Sequence, residues 1–128
     1  MKKGQTAIEF LIVCGAVLLF FIIFFALIEN NIADKMKEKR TAALRDETLA
    51  VQREIYFAYT STDGYSREFT IPQQVSGMDW NISINSQMIY AITLDIKDAI
   101  SFSIQNITGQ PRIGTNVIRK INGTTYLN

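Results

Sequence analysis

Phe10 to Ile28 is a run of 19 residues without a charged or strongly polar side chain. About 20 apolar residues in helix cross the hydrocarbon core of a bilayer. A segment of this length and composition cannot be shared out among the strands of a small soluble core. It sets aside the N-terminal part of the chain as a membrane or assembly element. Roughly 100 of the 128 residues lie beyond it, enough for one domain with a modest core.

The residues leading into the run read Met1-Lys2-Lys3-Gly4-Gln5-Thr6-Ala7-Ile8-Glu9-Phe10. Three readings of this start compete. A cleaved secretory signal carries a shorter apolar region and a small-x-small exit, whereas the exit here is Phe25-Ala26-Leu27-Ile28-Glu29-Asn30. An uncleaved signal anchor explains the lysines and the length but gives Glu9 no role. The third reading takes Gly4-Gln5 as a processing site, which leaves Gln5 as the new N-terminus and Glu9 as the fifth residue of the mature chain. In this register Lys-Lys-Gly, then Gln5-Thr6-Ala7-Ile8-Glu9-Phe10, then the apolar run, resembles the class III signal peptide of archaeal type IV pilins. Many relatives have serine at the position of Ala7. The resemblance implies cleavage by a prepilin-type aspartic peptidase, retention of the apolar segment, self-association through it, and export of the remainder. Ile71-Pro72-Gln73-Gln74-Val75-Ser76-Gly77 and Ile121-Asn122-Gly123-Thr124-Thr125-Tyr126 are also similar to stretches of archaeal pilin heads.

The chemistry of Glu9 stands without the resemblance. Gln5 and Glu9 are i and i+4 on a helix, so a positively charged amine on Gln5 could approach the carboxylate. Between neighbouring helices the same two groups could pair across copies, and a buried ion pair is better attested as a register device than as a source of stability. The competing reading is a carboxylate favoured by the macrodipole at a helix N-terminus. Cyclisation of an N-terminal Gln5 would remove the amine. Gly15 and Ala16 would allow helices to approach closely.

Orientation is contested by charge. Lys2 and Lys3 precede the run, and Lys35, Lys37, Lys39 and Arg40 follow it, so counting basic residues alone would put the far side in the cytoplasm. The resemblance implies the opposite, a single pass with the head outside.

From Glu29 to Tyr59, Ile32, Met36, Ala43, Leu44, Val51, Ile55 and Tyr59 recur at helical intervals, and no proline precedes Pro72. This predicts an amphipathic helix with one face for its own head. It would continue the apolar helix for about 80 Å in all if Asn30-Asn31 does not break it. Thr60 to Gly64 supplies turn residues. Beyond them Phe69-Ile71, Trp80-Ile82-Ile84, Met88-Tyr90-Ile92-Leu94 and Ile100-Phe102-Ile104 alternate as half-buried strands do. Asn122-Gly123 between Val117–Ile121 and Thr124–Leu127 is a hairpin signal. The expected fold is α+β: a long N-terminal helix, transmembrane and then amphipathic, packed on a small antiparallel sheet. The expected divisions are a leader (1–4), an assembly helix (5–28), its amphipathic continuation (29–60) and a β-rich head (61–128).

Nothing in the sequence points to catalysis. The chain has no histidine, so the commonest general base and metal ligand are missing. The one cysteine, Cys14, lies inside the apolar run, where it suits packing. No glycine-rich phosphate loop or metal-ligand spacing is present, and no cofactor is expected. With a formal charge of +1 there is no global attraction to nucleic acid. Asn81-Ile82-Ser83, Asn106-Ile107-Thr108 and Asn122-Gly123-Thr124 are acceptors for N-glycosylation on an exported surface, and all three lie in the expected head. The leading expectation is a filament-forming structural protein, and the resemblance to archaeal type IV pilins implies that the filament serves adhesion. The alternative is a monomeric membrane-anchored extracellular binding module.

Overall fold

The computed structural model of the chain describes residues 2–95 and 98–128, with Lys2 by its backbone alone. Met1 and the Lys2 side chain, part of the expected leader, lie outside the described residues. The architecture is the expected α+β: one long N-terminal helix and a β-rich head. Helix α1 (Lys2–Thr60) runs through Asn30-Asn31 without a break. Asn31 stays within it by donating its side-chain amide to the Leu27 carbonyl at 2.8 Å. The chain divides into two compact units, one ending at Glu38 and the other spanning Lys39–Asn128.

In the first unit the apolar side chains point in every direction around the helix and are exposed, from Ile28 at 38% to Leu11 and Ile22 at 69%. Phe20 stacks on Phe24 and Phe21 on Phe25, with ring centroids 6.2 and 6.4 Å apart, as i,i+4 neighbours do. A helix apolar on all sides suits lipid or other helices, not one flank of a soluble core.

In the second unit α1 buries Leu44, Thr48, Val51, Ile55 and Ala58, a stripe at three- and four-residue intervals. The stripe packs on two four-stranded sheets. One holds β1 (Ser66–Ile71), β7 (Gly114–Ile121), β8 (Thr124–Leu127) and β6 (Thr108–Gly109) in that spatial order. The other holds β2 (Gln74–Val75), β3 (Met78–Asn85), β4 (Met88–Thr93) and β5 (Ala99–Ser103). All pairs are antiparallel except β6 with β8. The core joins Leu44, Val51 and Ile55 of the helix to Ile71, Trp80, Ile82, Ile89, Ile118 and Leu127 of the strands.

Two parts of the apolar pattern fall elsewhere than periodicity suggests. Ile32, Met36 and Tyr59 belong to the expected packing stripe but are 53%, 51% and 45% exposed. On β4 the phase is inverted. Ile89, Ala91 and Thr93 face the core, while Met88, Ile92 and Leu94 face out. Register explains the inversion. Trp80 pairs with Thr93 and Ile82 with Ala91, and Ala91 also pairs with Ile100 on the other side. Cross-strand partners share a face, so opposite the bulky Trp80, Ile82 and Ile100 the core positions of β4 are the smaller Thr93 and Ala91, while Ile89 fills the core beside Ile84 and Phe102.

The helix C-terminus is closed from a distance in sequence. Lys120 Nζ donates to the Tyr59 carbonyl and, at 2.8 Å, to that of Ser61. It also lies 5.5 Å from the Tyr59 ring centroid. A cation at this end satisfies orphan carbonyls and opposes the negative pole of the helix. Asn122 and Gly123 take φ of 48° and 77°, the left-handed pair that a two-residue hairpin needs, and Gly123 N–H donates to Asp63 at 2.8 Å.

Candidate assembly surface

Gly4 and Gln5, the candidate cleavage pair, lie in the first turns of α1, and Glu9 follows one turn later. The structure brings Gln5 and Glu9 together: Gln5 Nε2 donates to Glu9 Oε1 at 3.5 Å. The bond is long and exposed, so it holds the carboxylate weakly. Gly15 has no atom within 4 Å of where a Cβ would stand, so the backbone is bare there. With Ala16 beside it, that patch lets a second helix come close. Cys14 is half-buried between its neighbours and unpaired.

In the second unit the three sequon asparagines are all exposed. Asn81 points outward from β3, opposite the buried Trp80. Asn106 lies in the segment between β5 and β6, and Asn122 on the β7–β8 turn. These residues are spread over the head and form no common site.

Sequence reasoning missed the polar side chains that stitch the two sheets. Gln110 forms a two-bond bridge to the Ile84 backbone, donating to its carbonyl at 2.7 Å and accepting from its N–H at 2.8 Å. Asn116 is fully buried. It accepts from Arg112 N–H at 2.8 Å and donates to the Arg112 and Gly114 carbonyls at 2.7 and 2.9 Å. Asn128 donates to Gln110 and to Asn116. Nothing in the sequence separates these amides from ordinary surface amides. Gln110 thus ties its segment to β3, and Asn116 and Asn128 tie that segment to β7 and to the C-terminus.

Among the described residues no three His, Cys, Asp or Glu side chains gather as metal ligands would. The ion pair between Arg67 Nε and Glu54 Oε2 spans 3.4 Å and is half exposed on the arginine side, the kind of contact that contributes little. Comparison of the chain with protein-family models, with curated proteins and with solved structures gave no match in any of the three. Fold and sequence together define an α+β protein with one N-terminal helix long and apolar enough to cross a membrane.

Proposed function

We propose that the chain is a structural subunit, a pilin, of an archaeal type IV pilus-like surface filament that serves adhesion. The observation that carries this reading is the apolar stretch of α1 from Phe10 to Ile28, exposed around the helix and immediately preceded by one carboxylate, Glu9, placed one turn after Gln5. A membrane anchor needs the apolar surface but not the acid. A bundle of identical helices uses both, the surface for packing and the acid for axial register. The prepilin-type peptidase would cut Gly4-Gln5, and the head would stand outside the cell before and after assembly. Since that bond lies in the first turns of the helix, cleavage requires the end to fray, which costs little at a terminus and less beside a glycine. The exposed sequon asparagines Asn81, Asn106 and Asn122 would then be open to glycosylation.

The test is made on cells carrying the wild-type chain, Glu9→Gln or Glu9→Asp. Mass spectrometry of sheared surface filaments should give a mature subunit starting at Gln5. Glu9→Gln should be cleaved and inserted but missing from filaments, and Glu9→Asp should retain part of the assembly. Glu9→Gln assembling as the wild type does would remove the register role. A chain kept in the membrane with Met1 or Lys2 still attached, in cells that make surface fibres, would favour the monomeric anchored module instead.

A further inference from the structure

The second unit carries two apolar patches that its own core does not use. On the solvent side of α1, Tyr56 and Phe57 are 51% and 48% exposed, with the exposed Arg53 one turn before them. On the outer face of β4, Met88, Ile92 and Leu94 are 37%, 45% and 63% exposed. The core lies between the two patches, since α1 packs on it through Leu44, Val51 and Ile55 and β4 through Ile89 and Ala91.

The edges of the patches carry opposite charge. Asp79 is on the outer face of β3, beside Leu94, whose N–H donates to the Asp79 carbonyl at 3.0 Å. The Asp79 carboxylate meets only the neutral amide of Gln74, at 2.9 Å, among the described residues. Neither it nor Arg53 has an ion-pair partner there. A cation beside two aromatic rings on one side of the unit thus matches an anion beside two aliphatic side chains on the other.

We propose that these patches meet between copies: Tyr56 and Phe57 of one head seat on Ile92 and Leu94 of the next, with Arg53 facing Asp79. This contact rests on the filament reading above and adds to it a second interface, made by heads and not by apolar helices. Because the two patches differ and lie on opposite sides of the core, the contact is heterologous. Each copy offers a free patch to a further copy, so the contact propagates into an open array instead of closing as a dimer.

The experiment uses the full chain in its own cells. In a Cys14→Ser background, Tyr56→Cys and Ile92→Cys are introduced together and singly, and sheared filaments are treated with a short bismaleimide. The double variant should give a ladder of dimers, trimers and higher species, and neither single variant should. In parallel, Arg53→Glu should lower filament yield about five-fold, the scale of one partly desolvated ion pair, and adding Asp79→Arg should restore it. Filaments that assemble normally and give no ladder overturn the head contact and leave the filament reading standing. Dimers without higher species overturn the heterologous geometry. A ladder seen only when Asn81→Gln is added would mean that a glycan on Asn81, cross-strand from Ile92, covers the stripe in the natural filament, and it would overturn the proposal too. Wild-type cells without filaments of this chain overturn both readings.

Discussion

At the scale of single residues, the buried amide of Asn116 fixes the entry into β7 and the C-terminal residue. Its side chain answers the N–H and carbonyl of Arg112, just before β7, and the carbonyl of Gly114 at the start of β7, and accepts from Asn128. Asn116→Ala should destabilise the detergent-solubilised chain by about 2–3 kcal/mol in urea unfolding, the cost of leaving buried polar groups without partners. Asn116→Asp keeps the shape but turns the donor into an acceptor facing two carbonyl oxygens. Burial disfavours the charged form and raises the folded-state pKa above the unfolded value of about 3.9. The penalty relative to wild type should therefore be full above the folded-state pKa, shrink as pH falls through it, and be smallest near pH 4. A penalty that does not change with pH would show that the carboxylate escapes to water. Gly109 is a second such position, with φ of 114° and a missing Cβ that would overlap the Leu127 carbonyl. Gly109→Ala should separate β6 from β8, seen as lost amide protection at Leu127.

Elements were legible in the sequence to the degree that one face alone was apolar. The central part of the α1 stripe, Leu44, Val51 and Ile55, follows from spacing, and so do the hairpin at Asn122-Gly123 and the faces of β3 and β5. β4 was not legible in this way, because Met88 to Leu94 offers apolar or small residues at nearly every position. Its face is chosen by volume across the ladder, Trp80 against Thr93 and Ile82 against Ala91, and single-strand periodicity holds no such information. That Gln5 and Glu9 are neighbours follows from i,i+4 spacing, though the bond present runs from the Gln5 side-chain amide and not from its amine, while the amide bonds of Gln110, Asn116 and Asn128 to backbone groups were not legible, since no periodicity marks them. The helix offers a direct check. Ile55 is fully buried and Met36 is 51% exposed, though both sit at helical spacing in one apolar series. Ile55→Ala should cost about 2–5 kcal/mol in stability. Met36→Ala should stay within about 0.5 kcal/mol of wild type. Equal losses would mean that the series forms one continuous packing face within a single copy.

At the scale of the whole molecule, the residues that build the core and those that the proposed filament would use for assembly are different. Among the described residues every buried core side chain belongs to Leu44 or a later residue, and the large apolar residues before Glu38 are exposed. The head should therefore fold without the apolar helix, as a monomer that needs no detergent. Removing residues 1–38 has one predictable defect. It opens α1 at Lys39 and Arg40, placing two cations at the positive pole of the helix, where anions are favoured. A version beginning at Asp34 places Asp34 nearest the pole and moves Lys39 and Arg40 away from it, but brings Lys35 and Lys37 along with Glu38, so it should be more stable by no more than about 0.5 kcal/mol, a difference that salt should reduce. Both versions should unfold cooperatively in urea with matching near- and far-ultraviolet circular dichroism, and both should sediment as monomers, since the proposed head contact, weak alone, would gain strength only in a filament whose apolar helices hold many heads together. Aggregation of both, or loss of the near-ultraviolet signal, would show that residues before 34 supply part of the core, and the separation of a folding surface from an assembly surface would fall with it.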